Sequence, residues 1–505
     1  MLYDLEWLAP GKEFPPKSER DRLEKYRDNK QVFECIPPYA IPLAGGNGNT
    51  MPLSKSNFSP MHPYFLMINR LNRVVGNYEE IFSIMTNFAY QQLVSIKTAD
   101  LLCGEAPLIT SKQEAQKKAI ETILDNTDLA GKLYTGTIDT SRYGDGLLKI
   151  YSDGQKGQLT VVSPERWFPV VDPSNVDRIQ IHVLAWLQAV NPDESDANRK
   201  YRLIAEVHSP GSYEVRVYSM RDRLTIGSLV EAPKVYQTEL SDFAIIQLPN
   251  VKTSGSTFGR DDYTPIDPII CEIITRIGQI AKILDRHANP SLEAPESAFQ
   301  QDPNTGEYTL KTGDAFIRNS KEDAETRYIT WDGNLESAFM EFDKLVQQLY
   351  AVSEMGAAIF GDLKGNTPPS GAALRRLLVN ALMKVSRIRN NADPAVKKAL
   401  ALLSEVTPAA GAKLKKSDIE IQWQDGLPSD PLEEAQIINL RVQRPTMSVT
   451  TALQRYDQMS LQQADEELDR IQQDELTANP VLVTTGQPPG PKVQPPPRIN
   501  NNLEV

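Results

Sequence analysis

The sequence predicts an α+β protein, mainly helical, with one β-rich stretch and a small β insert set between two long helices. Three observations predict it. Residues 144–248 carry short β-forming runs broken by turns, beginning with Leu147-Leu148-Lys149-Ile150-Tyr151, the turn Ser152-Asp153-Gly154, and Leu159-Thr160-Val161-Val162. From Asp267-Pro268, a cap followed by a first helical proline, the residues Ile269, Ile270, Ile273, Ile274, Ile277, Ile280 and Leu284 recur mostly at three- and four-residue steps. A second stripe, Leu335, Ala338, Phe339, Phe342, Leu345, Val346, Leu349 and Val352, marks a helix over 334–355. The turn Asn304-Thr305-Gly306 and short strands at 308–310, 315–318 and 328–330 fill the space between the two helices.

The remaining elements follow from the same rules. Residues 1–60 lack periodicity, and their proline pairs and the Gly45-Gly46-Asn47-Gly48 turn predict an extended arm with short helical pieces. A helix over 77–102 has Gly104 as its cap, and an amphipathic helix spans 111–125. Pro164-Glu165-Arg166-Trp167-Phe168-Pro169-Val170-Val171 is extended chain, and further strands fall at 183–190, 201–208, 212–218 and 243–248. Gly361 to Pro369 breaks helical structure. Ser370 then caps a helix over 371–391, followed by another at 394–405 and a strand at 419–423. Polar helices occupy 430–441, 449–458 and 461–476, and the proline-rich tail from 479 is disordered.

The chain has 505 residues, room for several cores, with 40% hydrophobic and 24% charged residues, the balance of a water-soluble protein. No run reaches the ~18–20 apolar residues of a membrane span, and the N-terminus lacks the pattern of a signal peptide. The expected setting is a cytoplasm or a particle assembled there. Cys35, Cys103 and Cys271 are scattered and read as small buried hydrophobes rather than a disulfide or zinc framework. The net charge of −12 argues against tight, static DNA binding, which draws its affinity from phosphate neutralisation. It is compatible with a wall past which DNA slides.

Catalytic and cofactor signatures are missing from the sequence. It holds no phosphate loop, zinc motif or nucleophile elbow. His62, His182, His208 and His287 have no partner at ligand spacing. Gly144-Asp145-Gly146 lacks the third glycine of a dinucleotide fingerprint and reads as a β-turn. Asp261-Asp262 precedes a helix whose positive pole favours carboxylates. No cofactor, no metal and no enzymatic activity are expected.

Val94 to Pro107, Tyr143 to Tyr151 with Pro164 to Val170, Leu248-Pro249-Asn250 with Gly259 to Tyr263, and Ser370 to Leu374 with Leu427 to Asp430 are four stretches that, in this order, resemble the portal proteins of tailed double-stranded DNA phages, particularly the siphophage type. The first is Val94 to Pro107, similar to that family's first long helix and its Leu-x-Gly-x-Pro ending, with one extra residue between Gly104 and Pro107. The second joins Tyr143-Gly144-Asp145-Gly146 through Tyr151 to Pro164-Glu165 and Phe168-Pro169-Val170. The third joins Leu248-Pro249-Asn250 to Gly259-Arg260-Asp261-Asp262-Tyr263, where Asp261 stands at a position often serine. The fourth joins Ser370-Gly371-Ala372-Ala373-Leu374 to Leu427-Pro428-Ser429-Asp430.

The resemblance implies a portal fold: an N-terminal arm (1–60), a wing (61–260), a first stem helix (261–288), a clip (289–333) and a second stem helix (334–356). A tunnel loop, long helix and return to the wing (357–429), a crown (430–476) and a disordered tail (477–505) complete it. It implies a ring, usually of twelve copies, at one capsid vertex, through which double-stranded DNA passes regardless of its sequence. Terminase, head-completion or adaptor proteins, and the major capsid or scaffolding protein are the implied partners, with no membrane. Under this reading Ile273, Ile277, Phe342 and Leu345 pack the stem, since so wide an apolar face needs a partner. Glu272, Arg276, Lys282 and Arg286 are candidates for the channel side. Lys364, with Asn366 beside it, is the candidate for phosphate contact in the tunnel loop. Another phage virion component, an adaptor or minor head protein, is the alternative; those chains are generally shorter and lack paired stem helices around a β insert. A hydrolase using scattered carboxylates has no motif behind it.

Overall fold

A computed structural model describes residues 1–35, 62–74, 89–194, 199–288, 291–293, 299–301, 308–310, 327–329, 335–362, 371–424, 431–443, 447–456, 459 and 461–478. The chain divides into two units, Met1–Leu427 and Pro428–Val505.

The first unit opens with α1 (Arg20–Phe33), α2 (Pro63–Val74), α3 (Tyr90–Cys103), β1 (Leu108–Thr110), α4 (Glu114–Asn126) and α5 (Leu129–Tyr143). The β-rich stretch follows as β2 (Asp145–Ser152), β3 (Gly157–Val161), β4 (Trp167–Asp172), β5 (Asn175–Ala189), β6 (Tyr201–Ser209), β7 (Ser212–Met220), β8 (Ile226–Leu229), β9 (Lys234–Gln237) and β10 (Ile245–Pro249). These strands form a six-stranded sheet, β4-β5-β6-β7-β8 with β9 also on β7, and a three-stranded sheet, β10-β2-β3. All described pairings within them are antiparallel. The strands expected at 147–151, 159–162, 183–190, 201–208, 212–218 and 243–248 are present, and β8 and β9 are additions.

Strand alternation gives the six-stranded sheet two apolar faces. On one, Val183, Ala185, Leu203, Ala205 and Val207 meet Leu2, Trp7, Leu8 and Phe14 from the N-terminal segment. On the other, Trp167 and Leu184 meet Leu147 and Ile245 of the three-stranded sheet. The described N-terminal residues are therefore docked rather than loose. Leu2 bridges Val170, and the backbone at Gly11, Lys12 and Phe14 bonds Ile226 and Leu224. Burying side chains such as Trp7 and Leu8 contributes roughly 1.5–3 kcal/mol each, which no helical or alternating period announces.

Helix α5 has no strong sequence stripe, because Gly131, Gly136 and four threonines or serines dilute it. Its ends carry the signal: Asp128 accepts from the Gly131 N–H at 3.2 Å, and Gly144 closes the helix at φ +91°. Gly144 is thus a helix cap and not part of a β-turn.

The chain continues with α6 (Asp267–Ala288), β11 (Ser291–Glu293), β12 (Phe299–Gln301), β13 (Tyr308–Leu310), β14 (Arg327–Ile329) and α7 (Glu336–Val352). Strand β11 pairs β14 and β12 pairs β13, so the insert between the helices is β-structured as expected. The strand expected at 315–318 lies outside the described residues.

Next come α8 (Gly371–Leu377), α9 (Val379–Glu405) and β15 (Glu420–Gln422), the last paired with β1. The expected break between 391 and 394 does not occur: α9 runs through Pro394. An interior proline costs about 3 kcal/mol, yet Ala392, Ala395, Val396, Ala399, Leu400, Leu402 and Leu403 are all buried around it and hold the helix. The break falls instead at Leu378. In the second unit, α10 (Pro431–Gln443), α11 (Val449–Tyr456) and α12 (Leu461–Ala478) match the three polar helices expected, and Ser448 caps α11 through the Thr451 N–H at 3.2 Å.

Candidate functional site

The second and third stretches singled out in the sequence meet in the region where α6, α7 and α9 approach the sheets. Gly144 and Gly259 lie where two backbone segments cross. A Cβ on Gly259 would stand 2.1 Å from the Gly144 carbonyl oxygen, and one on Gly144 would stand 2.2 Å from the Gly259 oxygen. Asp145 accepts from the Gly259 N–H at 3.1 Å and from Gln247 at 2.7 Å, and burial pushes its carboxyl up to about 6. The Asn250 N–H bonds the Gly144 carbonyl at 2.8 Å. The second and third resemblance stretches are therefore one structural node.

The paired acids sit in that node with specific partners and not merely near a helix pole. Asp261 accepts from the Tyr263 and Thr264 N–H groups at 3.0 and 2.7 Å and pairs with Lys25 at 2.5 Å. Asp262 accepts from Ser141 at 2.7 Å and from Asn250 at 3.0 Å, and pairs with Lys384 at 3.0 Å. Lys384, 4% exposed, also donates to the Ser353 carbonyl just after α7. One buried ammonium thus ties the lead-in to α6, the exit from α7 and the long helix α9. Arg387 pairs with Glu354, whose backbone sits at φ +59°. Sequence reasoning passed over Lys384. The available signal was its position in α9, on the apolar stripe between Ala381 and Ile388, where a charge demands a partner.

At the start of α6, Asp267 is 3% exposed and accepts from Gln91 at 2.9 Å, and Gln91 also donates to Tyr64 at 2.7 Å. Burial pushes Asp267 up to about 7, while burial pushes the nearby His62 down to about 4. A cleft of about 340 Å³ opens beside the node, lined by Asn250, Val251, Arg260, Asp261, Asp262, Pro265, Val352, Ser353, Glu354, Lys384 and Arg387. Its three cations and three carboxylates balance, which makes it a poor trap for either an anion or a cation. Among the described residues no group of three or more His, Cys, Asp or Glu is placed to hold a metal, and no helix is long and apolar enough to cross a membrane.

The two long helices α6 and α7 pack together, as their stripes require. Ile273 is fully buried, Ile277, Phe342 and Leu345 are half-buried against the same core, and Leu349 is fully buried. Helix α2 covers α6 as well. The isoleucine face is therefore largely covered within one chain and does not by itself demand a neighbouring copy.

The polar residues of α6 are also engaged inside the chain: Glu272 pairs with Arg70 of α2 at 2.6 Å, and Arg276 pairs with Glu341 of α7 at 2.9 Å. Lys282 is half-buried on α6. The side chain of Arg286, and all of Lys364 and Asn366, lie outside the described residues. What stays exposed is apolar surface elsewhere: Phe339 and Met340 on α7, and Leu377, Val379 and Met383 at the start of the long helix, at 49–63% exposure. From 371 to 392 that segment carries Arg375, Arg376, Lys384, Arg387 and Arg389 with no acid.

No curated protein matches the chain by sequence. Among solved structures, it is similar to a chain from the neck of a native gene transfer agent particle computed with C12 symmetry, at 12% identity and TM-score 0.37, covering 76% of this chain and 92% of that one. A chain from the virion of a native gene transfer agent particle gives 13% identity and TM-score 0.37 over 75% and 89%. Likeness at this level does not fix a common fold. The family model for the phage portal protein, SPP1 Gp6-like, matches residues 83–480 and so takes in all four stretches, the node formed by the second and third, and both long helices: the chain belongs to the phage portal protein family.

Proposed function

We propose that this chain is a portal subunit that assembles, usually as twelve copies, into a ring at one vertex of a phage capsid, and that double-stranded DNA enters and leaves through the ring's centre. Family membership over 83–480 is the observation that carries the reading. In this assignment α1 belongs to the N-terminal arm, the two sheets with α2 to α5 form the wing, and α6 and α7 the stem. The insert 289–333 is the clip on which terminase and then head-completion proteins dock, and 361–369 is the tunnel loop. Helices α10–α12 form the crown, inside the head.

The physical properties suit that use. A closed ring needs a head-to-tail contact between unlike surfaces. The exposed Leu377, Val379 and Met383 and the basic run around them offer one such surface, and the outer side of α7, with Glu336, Phe339, Met340 and Asp343, offers another of opposite charge. A net charge of −12 per copy keeps phosphate attraction weak, so DNA is guided without being held. Contacts to the backbone alone pass any sequence. The role is structural, with the work of translocation supplied by a separate motor.

The test is complementation of DNA packaging. Capsids assembled without this chain should contain no nuclease-protected DNA, and supplying the chain should restore it; filled heads without the chain contradict the proposal. Lys364→Glu, which replaces the tunnel loop's cation with an acid in every copy, should leave ring assembly intact while lowering protected DNA severalfold. Normal filling by that variant removes Lys364 from the mechanism.

A further inference from the structure

His182 on β5 and His208 on β6 stand directly opposite each other in the sheet register. They are 4% and 1% exposed and lie on the face turned toward the three-stranded sheet. Each ring is held as a neutral imidazole. The indole N–H of Trp167 donates to His182 Nδ1 at 3.1 Å, which places the His182 proton on Nε2. Phe243 meets the same ring edge-on at 4.9 Å. His208 Nε2 donates to Glu206 at 3.0 Å, and Glu206 also receives Lys149 of β2 at 2.6 Å. His208 Nδ1 is buried and has no hydrogen-bond partner, and its ring stacks on Tyr213 at 5.0 Å.

Neither histidine can take up a second proton favourably. A proton on His182 Nδ1 abolishes the bond from Trp167. A proton on His208 Nδ1 has no acceptor. Two imidazolium ions on opposed strands repel at cross-strand distance. The charged groups facing the pair are Lys149 on β2, Glu206 on β6, Asp242 before β10 and Lys398 on α9, with Tyr213 on β7. Glu206 and Asp242 favour a charge on His208 and His182, but Glu206 is shared with Lys149 and Asp242 with Lys398 at 2.7 Å, and burial outweighs both acids.

We propose that the His182–His208 pair makes the seam between the two sheets an acid-sensitive joint, closed when both rings are neutral and opened by their protonation. The direction agrees with burial lowering both groups, His182 to about 3. The sign follows: the folded value lies below the ordinary one, so stability is complete above about 6.5 and declines as pH falls toward the folded value. The inference stands on the packing of this chain and does not depend on the portal reading.

Hydrogen exchange across β5 and β6 of the full chain, measured from pH 7.5 to 4.5 and corrected for intrinsic rates, tests it. Each proton taken up on opening contributes about tenfold per pH unit to the opening equilibrium, so both together give up to about a hundredfold. Wild-type protein should approach that dependence below pH 6.5, and His182→Gln/His208→Gln should lose it. Trp167 emission should follow the same transition, isolated by difference against Trp167→Phe. Equal acid dependence in the double variant, or none in the wild type, overturns the proposal. If the double variant does not fold, His208→Gln alone must reduce the slope toward tenfold per unit, and an unchanged slope overturns it equally.

Discussion

Lys384→Met should destabilise the junction by about 3–5 kcal/mol, because it leaves Asp262 as a nearly buried carboxylate without its counter-charge. Methionine keeps the length and the apolar stem of the side chain, so the loss reports the charge and not a cavity. The Ser353 carbonyl also loses its donor, and with it the tie between α7 and the long helix. Asp262→Asn in the same background should recover a large part of the loss, since the Asn oxygen still accepts from Asn250, its amide N–H can donate to the Ser141 hydroxyl oxygen, and no charge is left to compensate. Urea unfolding followed by far-ultraviolet circular dichroism measures both. A single variant as stable as wild type would show that the lysine is incidental to the junction.

Gly259→Ala should be comparably damaging, by about 2–5 kcal/mol, through crowding where two backbones cross. The atom that the new methyl group meets is the Gly144 carbonyl oxygen, which is main chain and cannot rotate away. Gly144→Ala adds the cost of a left-handed φ of +91° to the same collision and should be the worse of the two. Thermal unfolding of the two variants against Gly154→Ala, which has φ +92° but open space around it, separates backbone strain from the crossing itself. If all three variants lose the same stability, the crossing imposes nothing.

These two sites explain why some of the chain was legible in sequence and some was not. The stripes of α6 and α7 are periodic because one face of each is buried, and a 3.6-residue repeat carries that information directly. The strands between residues 145 and 249 declared themselves through β-branched runs and turn residues. Helix α5 did not, because its glycines and threonines serve close packing and caps rather than propensity. The N-terminal segment did not either, since Trp7, Leu8 and Phe14 are buried by docking onto a distant sheet. Pro394 misled for the reason tertiary burial overrides local preference.

Among the site residues, Lys384 carries more structural weight than the polar residues of α6. Glu272 and Arg276 spend their charges on Arg70 and Glu341 within the chain. The pairing of His182 with His208 was invisible because residues 26 positions apart in sequence become opposite only once β5 and β6 are in register.

The proposed function requires many copies to assemble around a hole. Electron microscopy of the purified full chain tests it most directly. The expected particle is a ring with a central channel wide enough for a DNA duplex and projections radiating from its rim, with Leu377, Val379 and Met383 covered by the neighbouring copy. A protein that stays monomeric under assembly-promoting conditions, or that forms particles without a channel, contradicts it.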